Sequence, residues 1–286
     1  MSVQITLGQR YEIAALRRQR LSVRAIERTN GRRSRSRRGQ RFTEDDWVLV
    51  EHLLSLDWSP EHISGRLALE GLLSISHETV YLYVWADKRS GGESWHHLRQ
   101  RSKKRRKRCW SHDSRGRLAG TRHMSERPPE IESREEAGHF EVDTIKGDSQ
   151  GMHTVITLVE RKTGYLTMGK LERHTAADCT AKSIETIKGQ GGRVKTITAD
   201  NRSEFHGYKD VEAATGVVFY FATPHHSWER GTNENTNGSV RQYLPKRTNT
   251  AHVTQADCDE IATHLNRRPR KRLGYRTPEA CYVSAR

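Results

Sequence analysis

Apolar and polar positions follow two rhythms along the chain, and the change falls near residue 139. Before it, apolar residues recur at helical spacing. Tyr11, Ala14, Ala15 and Leu16, then Leu21, Ala25 and Ile26, predict two short helices, with Ser22 placed to cap the second. Trp47, Val50, Leu53 and Leu54 predict a third, opened by Thr43 and the acidic run Glu44-Asp45-Asp46, which suits the positive end of a helix dipole. Ser59-Pro60-Glu61 supplies an N-cap, a proline at the first helical position and an acidic first turn for a helix carrying Ile63 and Leu67 and stopping at Gly71. Ser76 begins another, through Thr79, Val80, Tyr81 and Val84.

From His139 the rhythm shortens. Apolar runs at 139–145, 152–159 and 165–171, separated by turns at 147–151 and at Lys162-Thr163-Gly164, predict three strands in an antiparallel meander. Thr175 then opens a helix carrying Thr180, Ile184 and Ile187, ended by Gly189 and the Gly191-Gly192 pair. Strands at 194–199 and 217–221 flank a helical stretch at about 205–214, and a further helix holds Glu234 near its start. Thr254 and Asp257 cap a last one, with Cys258, Ile261, Ala262 and Leu265 as its stripe. This order is α/β with a mixed five-stranded sheet, preceded by an all-α region.

Charge separates the two regions further. The chain carries 50 Lys and Arg against 35 Asp and Glu, and residues 1–127 hold +13 of the +15 excess. Six arginines fall among the eleven residues 31–41, and eight positive charges among the ten residues 99–108. Like charges at that density repel unless phosphates or counterions neutralise them, so the front of the chain is expected to bind nucleic acid. The helix pair around Gly71 then reads as a helix-turn-helix presenting Ser76, His77 and Thr79 to base edges, with Lys103, Lys104, Arg105, Arg106, Lys107 and Arg108 on phosphates. Six segments are expected: a truncated helical segment 1–30, a basic linker 31–41, a helix-turn-helix domain 42–98, a basic linker 99–130, a catalytic core 131–250, and a C-terminal helix with a basic tail 251–286. The tail arginines 267–272 are expected on phosphates. No run of eighteen apolar residues exists and no apolar stretch follows the N-terminus, so a soluble, cytoplasmic, nucleoid-associated protein without a membrane partner is expected. The four cysteines form no Cys-x-x-Cys pair and read as free thiols.

Three carboxylates stand at distinct places in the α/β order: Asp143 within the first strand, Asp200 directly after the fourth, and Glu234 beyond the fifth. Hard divalent cations prefer oxygen ligands, and cations so held can activate water or a 3′-hydroxyl against a phosphodiester. The words around them are more specific than the spacing. Gly138-His139-Phe140-Glu141-Val142-Asp143-Thr144-Ile145, Leu158-Val159-Glu160-Arg161, Thr198-Ala199-Asp200-Asn201-Arg202-Ser203-Glu204-Phe205 and Arg230-Gly231-Thr232-Asn233-Glu234-Asn235-Thr236-Asn237-Gly238 resemble the catalytic core of the insertion-sequence-30 transposase family. Trp58-Ser59-Pro60-Glu61-His62-Ile63-Ser64 and Ser76-His77-Glu78-Thr79-Val80-Tyr81 are similar to its second helix-turn-helix, and Leu273-Gly274-Tyr275-Arg276-Thr277-Pro278 to its ending. The resemblance covers roughly residues 42–286.

The resemblance implies an RNase H-like integrase core and a DDE transposase. It implies Asp143, Asp200 and Glu234 as catalytic metal ligands, two Mg²⁺ or Mn²⁺ ions per site, and cleavage and strand transfer between element ends and target DNA. A homodimer or larger assembly on double-stranded DNA follows from acting on two ends. By helical spacing Glu234, Gly238 and Arg241 share one face, and Arg241 is a further expected DNA contact. The first helix-turn-helix is shortened relative to the family, and Arg202 stands where the family has Gly. A Gly there would permit a positive φ, and Arg brings a cation towards the metals. The alternative is therefore a catalytically impaired copy that acts as a DNA-binding repressor or competitor. A hybrid-specific nuclease is a third reading, which leaves the helix-turn-helix unexplained.

Overall fold

The computed structural model describes residues 42–98, 120–147, 154–223, 231–246 and 250–285. The expected N-terminal helices, the 31–41 linker and Lys103–Arg108 lie outside the described residues. The chain divides into two compact units, Met1–Lys104 and Arg105–Arg286.

The described part of the first unit is three helices, α1 (Glu44–Ser55), α2 (Pro60–Leu69) and α3 (His77–Arg89). Each starts at the cap that the sequence supplies. Thr43 and Asp46 form a reciprocal capping box, Ser59 accepts from the His62 amide, and Ser76 accepts from the Thr79 amide. Val50, Leu54, Ile63, Leu67, Val80 and Val84 meet in one core, edged by Trp47 and Trp58. Burying each such aliphatic is worth about 1.5–3 kcal/mol, so this small unit depends on nearly all of them.

The second unit opens with a short helix, α4 (Pro129–Ser133), and continues as β1 (His139–Lys146), β2 (Thr154–Glu160), β3 (Leu166–Leu171), α5 (Ala176–Lys188), β4 (Thr196–Ala199), α6 (Tyr208–Thr215), β5 (Val218–Phe221), α7 (Gly231–Val240), α8 (Gln255–Asn266) and α9 (Pro278–Ser284). The strands form one sheet in the order β3-β2-β1-β4-β5. β1, β2 and β3 pair antiparallel, while β1, β4 and β5 pair parallel, the mixed five-stranded sheet expected. Alternation along β1 sends Phe140 and Val142 to a core shared with α5 and α6, and Ile145 to a second core shared with α7 and α8. Glu141 and Asp143 therefore face the α7 side of the sheet.

Residues 251–285 pack into this unit on both faces of the sheet. Cys258, Ile261 and Leu265 of α8 complete one core, and Tyr282 of α9 enters the other, stacked on Tyr165 at 4.2 Å. Two arginines expected on phosphates bond within the fold: Arg268 donates to Gln242 and Tyr243, and Arg272 to the Lys162 carbonyl. Cys179, Cys258 and Cys281 are free thiols, and burial pushes the Cys179 thiol up to about 12 and the Cys258 thiol to about 11, which makes both unreactive.

Candidate active site

β1 is the switch point of the sheet, with an antiparallel neighbour on one side and a parallel one on the other. Ligands in open α/β sheets gather at such points, outside the C-terminal ends of the parallel strands. The parallel register runs from His139↔Thr196 to Glu141↔Thr198, so two residues further on Asp143 and Asp200 stand level on neighbouring chains. Fifty-seven residues of sequence separate them, and the register alone brings them together.

Arg202 lies between the two carboxylates. Its Nε is 2.9 Å from Asp200 Oδ2, and its Nη1 is 3.6 Å from Asp143 Oδ1 and 3.9 Å from Glu204 Oε1. The Arg202 amide also donates to Asp200 Oδ1 at 3.3 Å. Its backbone is extended, with φ −80° and ψ 152°, so the positive φ considered for this position is not adopted. No positive φ is needed there, and the turn accepts a side chain without strain. The charge agrees with the expectation: a cation does sit against the acidic pair.

Two side chains that sequence reasoning did not single out complete the surroundings. Asn237 Nδ2 donates to Asp143 Oδ2 at 2.9 Å, and the Thr144 amide donates to Oδ1 at 2.9 Å, which orients the carboxylate from both sides. Glu204 is buried and accepts from the Thr144 hydroxyl at 2.9 Å, with His174 Nε2 at 3.4 Å. Burial alone would raise Glu204, but a backbone amide, the Thr144 hydroxyl and the charges of His174 and Arg202 hold its carboxyl below the usual glutamate value. Both residues lie inside the words that carry Asp200 and Glu234. Their roles could have been suspected from those words, but only the fold shows which atoms they touch.

Glu234 is exposed in the first turn of α7 and does not join the acidic pair. Among the described residues, no three His, Cys, Asp or Glu side chains are close enough to share a metal ion. α7 meets β1 through the Asn233 backbone amide, which donates to Glu141 Oε2 at 2.9 Å, and through the Asn237 side chain, which holds Asp143. Arg241 Nη1 donates to the Lys146 carbonyl at 2.9 Å and the Leu244 carbonyl at 3.3 Å, tying the end of β1 to the end of α7. Asn201 donates to the Ala222 carbonyl at 2.5 Å, tying the end of β4 to the end of β5.

Deeper along β1, Glu141 is fully buried and paired with Arg161 Nε at 3.2 Å. Arg161 also donates to the Ile131 carbonyl at 2.7 Å and pairs with Glu132, which in turn holds Arg127. This network fastens α4 and the start of α7 beneath the acidic pair.

In the helical unit, Ser76 and Thr79 are joined by a side-chain bond of 3.0 Å at the cap of α3, and His77 lies 3.1 Å from Glu78. The exposed face of α3 continues through Tyr81, Leu82 and Trp85. Residues 42–98 hold three Lys and Arg against ten Asp and Glu, so the helices themselves are acidic and the positive charge of the front half lies in the flanking segments.

The sheet order and the switch-point strand define an α/β core whose mixed five-stranded sheet carries two aspartates at the C-terminal ends of its neighbouring parallel strands. The chain is 40% identical over 226 residues to the transposase for insertion sequence element IS4351 of Bacteroides fragilis, covering 79% of this chain and 69% of the relative. It is 38% identical over 241 residues to the transposase for IS1086 of Cupriavidus metallidurans, covering 81% and 70%. The InsI transposase of IS30A from Escherichia coli is 34% identical over 244 residues, covering 81% of this chain and 62% of the relative. No family model matches. Among solved structures, the catalytic core domain of BIV integrase overlays 52% of this chain and 95% of its own, at 17% identity and a TM-score of 0.40. The chain belongs to the insertion-sequence-30 family of transposases.

Proposed function

We propose that this transposase cuts DNA strands at the ends of an insertion element and joins them to target DNA, with Asp143, Asp200 and Glu234 as the catalytic carboxylates. The observation that supports this most directly is the level placement of Asp143 and Asp200 at the switch point, already sharing one cation, the Arg202 guanidinium. Two hard oxygen donors converging on one positive charge suit Mg²⁺ or Mn²⁺, and Glu234 is the third ligand of the proposal. Held by Asp143, Asp200 and Glu234, two such ions would supply activation of the attacking water or 3′-hydroxyl and charge stabilisation at the leaving oxygen. Asn237 and the Thr144 amide hold the Asp143 carboxylate in one orientation, and Asn201 fixes the turn that carries Asp200. Fixed carboxylates lose no reorganisation energy when charge develops at the phosphate.

DNA affinity is assigned to the basic flanks, Lys103–Arg108 above all, because the acidic surface of residues 42–98 repels phosphate. The start of α3, with Ser76, His77 and Thr79, is then the element that discriminates sequence, and an assembly of two or more copies holds two ends. The test is incubation with element-end DNA and Mn²⁺, read for nicked and joined products. Asp143→Asn, Asp200→Asn and Glu234→Gln are each expected to abolish cleavage while leaving end binding nearly intact. Substantial metal-dependent cleavage by any of the three removes that residue from the site.

A further inference from the structure

Arg202 has a larger part than its neighbours in sequence suggest. Its guanidinium touches Asp143 of β1, Asp200 at the end of β4 and Glu204 in the following turn, so a single side chain closes a ring of three carboxylates from three places in the chain. Its side chain is 42% exposed, whereas those of Asp143, Asp200 and Glu204 are 14%, 16% and 4% exposed. The anions are largely withdrawn from water, and the Arg202 guanidinium beside them is not. Unneutralised carboxylates in such a place destabilise the fold, so a positive charge beside them is stabilising. An arginine on the open side of the ring can leave through a few side-chain rotations. Its extended backbone means that neither position is enforced by the chain itself.

We propose that Arg202 is a resident counter-cation of the acidic ring, a positioning residue that holds Asp143 and Asp200 together in the metal-free protein and is displaced when a divalent cation enters. The inference rests on the assignment of Asp143 and Asp200 as metal ligands. It adds Glu204 as the third anion that the guanidinium serves, and it makes metal entry an exchange of one cation for another. Metal affinity is thereby set against the strength of three ion pairs, and the metal-free fold is protected from its own acidic cluster.

The test uses the full chain and reads metal binding and stability without reference to cleavage. Mn²⁺ binding is followed by loss of the free-ion electron paramagnetic resonance signal, and unfolding temperature is measured in EDTA and across a Mn²⁺ series. Arg202→Gln is expected to unfold at a lower temperature than the parent in EDTA. It is expected to bind Mn²⁺ about tenfold more tightly, because removing a unit charge a few ångströms from a cation site is worth at least that factor. Arg202→Lys covers the case in which the glutamine variant does not fold: one ammonium cannot span Asp143 and Asp200 as the fork does, so tighter Mn²⁺ binding than the parent is again expected. Equal or weaker Mn²⁺ binding in the folded variant overturns the proposal. Asp200→Asn separates the two readings. If it loses Mn²⁺ binding while the Arg202 variants match the parent, the metal site stands and the exchange is wrong; if it binds Mn²⁺ as the parent does, the metal-site assignment itself fails.

Discussion

Two arginine–carboxylate clusters stand two residues apart along β1 and differ chiefly in their access to water. Glu141 and Arg161 are both buried, and every bond they make ties one secondary element to another. Asp143 meets Arg202 at an open edge, beside Asp200. The same pair of residue types therefore gives a permanent fastening in one place and an exchangeable charge in the other. The strand's period of two puts both glutamate and aspartate on one face, and the depth beneath α7 decides which of them can trade partners. A buried pair of this kind is costly to break from one side, because the abandoned charge has no water to turn to.

The largest effect is expected at the closed end. Arg161→Ala is expected to destabilise the protein by about 3–5 kcal/mol, since it strands Glu141. Urea unfolding measures this, and a loss below about 1 kcal/mol would show that water reaches the closed cluster after all. At the open end, Arg202→Gln in EDTA should cost far less, about 1 kcal/mol, as befits a half-exposed partner. Comparable losses at the two positions would erase the distinction between fastening and exchangeable charge.

Asn237→Ala sharpens the open end without touching a charge. It frees the Asp143 carboxylate to rotate, and a cleavage rate lowered about tenfold with DNA binding unchanged is expected. An unaltered rate would mean that the Thr144 amide suffices to orient Asp143. The smallest effect concerns His139, at the start of β1. Burial outweighs the pull of Glu136 and, with Lys195 and Arg161 nearby, holds its pKa below the ordinary histidine value. A group whose folded pKa is depressed binds more protons when unfolded, so its contribution is present above its unfolded pKa of about 6.5 and is lost as pH falls through the folded value. Thermal unfolding at pH 5.5 and 7.5 should therefore show lower stability at the acidic value, and His139→Gln should narrow the gap. A gap equally wide in the variant assigns the dependence to other groups.

Much of the architecture was legible from residue order because its determinants are local. Thr43, Ser59 and Thr254 each cap the helix they were expected to cap, and Ser76 and Thr175 cap the helices they were expected to begin, since a hydroxyl can reach only the amides two or three residues ahead. The meander of β1, β2 and β3 followed from alternating runs and tight turns. The rotation of α7 was not legible. Its ten residues include one large apolar side chain, Val240, so no stripe marks the inward face, and the side chain of Asn237 turns to β1 while that of Glu234 is exposed.

The same division runs through the candidate site. The helix caps, the strand alternation, the family words and the identities of the acidic residues could be read from residue order, because these depend on neighbours a few positions away. Folding was required to bring Asp143 level with Asp200, to stretch Arg202 across them, to bury Glu204 against Thr144 and to leave Glu234 apart on the exposed turn of α7. These are matters of strand register, helix rotation and depth from solvent. Each is set by the packing of elements dozens of residues apart, where charge and burial act through space and leave no period in the chain.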